Sequence, residues 1–72
     1  MTENVIDAIE LVATEDGPEQ AAQQAAHELG IEDALEVLSA ATNGAFGRRH
    51  DRLLAVVGEL RKLKAEQREV EA

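Results

Sequence analysis

Seventy-two residues make one domain at most, and the absence of cysteine excludes disulfides and thiolate metal sites. The net charge is -8, and Phe46 is the only aromatic residue, which excludes a base-stacking platform and a large core. Much of the 44% apolar content is alanine, which buries little area, so oligomerisation is the expected source of extra stability.

Asp16-Gly17-Pro18, Gly30, Asn43-Gly44 and Gly47 punctuate the chain. Between these marks the apolar spacing is close to 3.6 residues, and no segment alternates with period two, so the predicted fold is all-α. Helix 1 is predicted from about Glu3 to Thr14, with Thr2 as N-cap and Val5, Ile6, Ile9, Val12 and Ala13 as its apolar stripe. Leu11 lies off the stripe, between Asp7 and Glu10, as an exposed singleton or a contact for a partner. Helix 2 is predicted from Pro18 to Leu29. Asp16 and Glu19 have capping-box spacing, and Pro18 suits a first turn. Its apolar face is Ala21, Ala22, Ala25, Ala26 and Leu29, and Gly30 is its expected C-cap. Helix 3 runs from about Glu32 to Thr42, with Ile31, Ala34, Leu35, Leu38 and Ala41 on one face.

The last helix is the long one, from Phe46 or Arg48 to Val70. Phe46, Leu53, Val56, Leu60, Leu63 and Val70 fall on a and d positions over about three and a half heptads, with Arg49 and Gln67 as the polar exceptions, which suggests a coiled-coil seam. In a parallel dimer Glu59 and Lys64 would attract, whereas Glu66 and Glu71 would repel, so orientation stays open. Gly58 sits inside this helix at a cost of ~1 kcal/mol relative to Ala. Two readings of it are open: close approach by the alanine-rich helix 2, or a tolerated exposed glycine.

Charge is divided along the chain. Residues 1–47 contain ten acids and no Lys or Arg, whereas residues 48–72 contain seven bases and five acids. Such separation governs association more than fold. Glu28, Glu32, Asp33 and Glu36 form the candidate acidic partner surface. Arg48, Arg49 and Arg52 form a basic cluster where cations oppose the helix dipole. Either they pair with acids of the first three helices, or they hold an anionic ligand. Glu outnumbers Asp eleven to four, a balance that high-salt adaptation would also produce.

Ala25 to Leu35, with Ala26 and Gly30 four apart and Leu29 and Ile31 flanking, resembles the turn of a helix-turn-helix DNA reader. The resemblance implies a recognition helix, yet that helix carries Glu32, Asp33 and Glu36 and no base. Phosphate and base contacts rely heavily on Lys and Arg, so an acidic reader would be repelled. Acyl carrier proteins are also small, acidic and four-helical, but Ser39 lies between Leu38 and Ala40 rather than in their Asp-Ser-Leu motif. No Glu-x-x-His or His-Glu-x-x-His spacing and no glycine-rich phosphate loop occurs. Ser39 has no histidine at a spacing that suggests activation.

These features define a single helical domain over residues 1–72: an acidic three-helix head over 1–47 and a long amphipathic helix over 48–72. Its expected role is a non-enzymatic protein–protein interaction module, a regulatory or assembly subunit without cofactor or metal. The expected partners are a second copy, as homodimer or higher oligomer through Leu53, Val56, Leu60 and Leu63, and another protein with a basic surface. A DNA mimic or phage-type inhibitor of a nucleic-acid-binding protein is one alternative, and a DNA-associated helix-turn-helix-like oligomer is another. No apolar run reaches the ~18–20 residues of a membrane span, and the start Met-Thr-Glu-Asn lacks a basic leader region, so a cytoplasmic setting without a membrane partner is expected.

Overall fold

The computed structural model describes residues 2–71, with side chains placed for residues 5–68. It is an all-α bundle of α1 (Thr2–Glu15), α2 (Pro18–Leu29), α3 (Ile31–Asn43) and the long α4 (Gly47–Glu71). At ~1.5 Å per residue α4 accounts for the long axis; the molecule measures 37 × 22 × 21 Å. α4 lies against α3 and α2, α1 packs on α2, and α1 meets α4 over a smaller contact.

Glycine sets the corners. Gly30 is the only residue between α2 and α3, with φ 83° and ψ 152°, a region essentially restricted to glycine. Its N–H donates to the Ala26 carbonyl and its carbonyl accepts from the Ala34 N–H, both at 2.9 Å, so one residue closes one helix and opens the next. A helix-turn-helix corner uses about three or four residues, and this one-residue joint departs from it. Gly17, at φ 98°, occupies the N-cap of α2, whose start has no side-chain cap. The expected Asp16–Glu19 capping box does not form, because Asp16 continues the turn of α1 and donates its N–H to the Val12 carbonyl at 2.7 Å. The Thr2 cap lies outside the described side chains.

The core draws on all four helices. Ile9 comes from α1; Ala21, Ala22 and Ala25 from α2; Ala34 and Leu38 from α3; Leu53, Val56, Val57 and Leu60 from α4. The three alanines of α2 are fully buried, so that helix lies close to its neighbours and contributes shape more than area. The Thr42 hydroxyl is buried and donates to the Leu38 carbonyl at 2.7 Å, which satisfies it within α3.

Two expectations for α4 are corrected. Leu53, Val56 and Leu60 are 0% exposed within a single chain, because α2 and α3 cover the stripe that was expected to face another copy. Leu63 is half-buried beside them, and from Ala65 to Arg68 every side chain is exposed. The distal end of the helix therefore presents no apolar seam over those residues; Val70 lies outside the described side chains. Phe46, expected on the same seam, is 86% exposed. The chain turns through Gly44 to Gly47, where Gly47 has φ 60°, and Ala45 rather than Phe46 faces the core.

Gly58 is exposed, and a Cβ there would meet nothing within 4 Å. α2 does not approach it. Among the described residues no helix is long and apolar enough to cross a membrane.

Candidate interaction surface

The α2–α3 corner positions the acidic residues. Glu28 lies in the last turn of α2, Glu32 and Asp33 in the first turn of α3, and Glu36 one turn further on; all are exposed. The tight joint at Gly30 keeps both helix ends within one short stretch of surface. Glu28 accepts a hydrogen bond from Gln24 Nε2 at 2.7 Å. Glu32 lies 3.6 Å from Lys64 Nζ across the α3–α4 contact. Asp33 and Glu36 have no ion pair among the described side chains. Glu32 and Asp33 face the positive end of the α3 dipole, whereas Glu28 sits near the negative end of α2.

Of the basic cluster, Arg49 finds an acid of the head. Its Nε donates to Glu10 Oε1 at 2.9 Å and ties the start of α4 to α1. Glu10 is the more enclosed partner, with its side chain 13% exposed against 52% for Arg49. The hydrogen bond to Glu10 and the Glu10 charge raise the Arg49 pKa, partial desolvation opposes them, and the charge of Asp7 adds the smallest upward push. Arg48 is exposed and Arg52 half-buried, and neither has an ion pair among the described side chains. Within α4, Lys62 Nζ lies 3.2 Å from Glu59 Oε1.

Ser39 borders a shallow groove between α3 and α4 with Thr42, Asn43, Leu54, Val57 and Arg61, and no histidine is among these residues. No group of three or more His, Asp or Glu residues is placed to hold a metal ion among the described residues. His27 is exposed, and His50 Nδ1 lies 3.6 Å from its neighbour Asp51.

Sequence reasoning did not single out Leu54, which is 50% exposed. The signal was its place outside the Leu53–Val56–Leu60 stripe. The Glu10–Arg49 pair spans 39 residues and had no local signature.

No protein-family model matches the chain, and neither the curated proteins nor the solved structures compared with it match.

Proposed function

We propose that this chain is a non-enzymatic protein–protein interaction module, a regulatory or assembly subunit. Its exposed acidic corner, Glu28, Glu32, Asp33 and Glu36, meets a basic surface on another protein in a cytoplasmic setting. The supporting observation is that of these four only Glu32 has an ion pair among the described side chains. Exposed unpaired acids repel one another and attract a cationic partner over roughly a Debye length, about 8–10 Å at ordinary ionic strength. Self-association remains part of the reading, but through a surface other than the buried Leu53–Val56–Leu60 stripe.

Affinity capture from extract of the native cells, with wild type and E28Q/E32Q/D33N/E36Q as baits, tests this. A basic protein should be retained by wild type and lost by the variant, with binding that weakens as salt rises. Capture unchanged by the substitutions contradicts the reading. If the captured protein normally binds nucleic acid and duplex DNA competes with the bait, the acidic corner acts as a DNA mimic. A salt-dependent gel shift of duplex DNA by the chain itself, abolished when Arg48, Arg49 and Arg52 become Gln, would favour the nucleic-acid reading instead.

A further inference from the structure

Three large apolar side chains are exposed among the described residues: Leu11 at 58%, Phe46 at 86% and Leu54 at 50%. They divide between the two charged parts of the chain. Leu11 belongs to the acidic part, and Leu54 to α4 of the basic part.

Leu54 borders the shallow α3–α4 groove, about 100 Å³ in volume, with the buried Val57 at its base and Arg61 exposed at its rim. Ser39, Thr42 and Asn43 complete the lining, and none of the six is acidic. Phe46 stands at the entry to the same helix, its carbonyl accepting the His50 N–H at 3.4 Å. On α1, Asp7, Leu11 and Glu15 follow at four-residue spacing, so they form one exposed stripe of acid, leucine and acid. Ala8, also exposed, lies beside Leu11 and leaves room for close approach.

We propose that the α3–α4 groove receives α1 of a second copy, with Leu11 against the exposed Leu54 and the flanking Asp7 or Glu15 facing Arg61. Charge complementarity selects this occupant. Packing the groove against its own counterpart would bring Arg61 towards Arg61 with no acid in the lining, whereas α1 brings two carboxylates. The contact is heterologous: donor and acceptor surfaces differ, so a bound dimer keeps one free surface of each kind and can grow. It rests on the self-association in the functional reading and is separable from the acidic corner.

Sedimentation velocity over a concentration series at low salt tests this with wild type, Leu11→Ser and Leu54→Ser. Wild type should grow from the single-chain mass of 7.8 kDa to at least twice that mass, and added salt should reverse the growth. Each variant alone should remain a single chain, because each lacks one half of the contact. Their equimolar mixture should regain a two-chain species and stop there, since one intact donor meets one intact acceptor. If Leu54→Ser loses its helical circular dichroism, Arg61→Glu replaces it as the acceptor variant with the same expectation. A mixture that behaves as the sum of its parts overturns the proposal, as does loss of association in only one variant. Wild type that associates while both variants match it leaves self-association standing and removes this contact. Wild type that stays a single chain removes both and leaves the acidic corner untouched.

Discussion

Individual residues make opposite demands on the backbone, and the glycines separate them cleanly. Gly30 occupies φ 83° and ψ 152°, so Gly30→Ala should destabilise the protein by roughly 1–3 kcal/mol. Gly58 lies within α4 with open space around it, so Gly58→Ala should stabilise by about 1 kcal/mol. Urea unfolding of both variants checks the pair, and a loss at Gly58 would mean that its bare backbone is in use. The stopping role of Gly30 was legible in the sequence because it interrupts an apolar period. The role of Asp16 was misread because its spacing to Glu19 suits a cap, while the chain gives the N-cap to Gly17. The Arg49–Glu10 pair depends on how two helices cross, which local spacing does not carry. Of the three arginines, Arg49→Gln should lower the melting temperature most at low salt, and the difference should narrow near ~1 M salt, where screening is nearly complete. An equal loss for Arg48→Gln would show that the pairing is not specific to Arg49.

Among elements, α4 shows what periodicity reveals and what it leaves open. Spacing identified Leu53, Val56, Leu60 and Leu63 as one apolar face. The same spacing serves a coiled-coil seam and the inward stripe of a bundle helix, so it does not say which chain covers that face. Here α2 and α3 cover it, and the alanines of α2 allow that helix to come close. Leu60 is 0% exposed, so Leu60→Ala should cost about 2–5 kcal/mol, most of what a domain this small has to lose. The measured loss should not depend on protein concentration, because the partners of Leu60 lie in its own chain. A loss that grows on dilution would return Leu60 to an interface between copies. α2 makes the converse test. Ala25 is fully buried in a close contact, so Ala25→Leu should destabilise by roughly 1–3 kcal/mol despite its greater hydrophobicity. Tolerance of the larger side chain would show that the helices are not closely packed there.

At the scale of the whole molecule, two layers of charge are superimposed on one core. The few cross-helix pairs, Arg49 with Glu10 and Lys64 with Glu32, fasten α4 to the helices beneath it. Several remaining acids of the head, including Glu15, Glu28 and Glu36, face solvent without an ion pair among the described side chains, and Asp7 is exposed with Arg49 as its nearby cation. Composition had made this imbalance legible; it could not tell which acids the fold would match. Under the proposed function, the acidic corner serves a partner rather than the fold. Glu32 and Asp33 complicate the test, because they also complement the start of α3. Glu28 and Glu36 bear less on the fold: Glu28 opposes the dipole at the end of α2 and its hydrogen bond from Gln24 can be kept by the amide oxygen of a glutamine, while Glu36 has no ion pair among the described side chains. The most direct measurement is therefore the low-salt melting temperature of E28Q/E36Q against wild type. The variant should melt at the same or a higher temperature, with any gap closing near ~1 M salt as self-repulsion is screened. A variant that melts lower at low salt would show that these carboxylates support the fold, and would contradict a role for the acidic corner reserved for a partner.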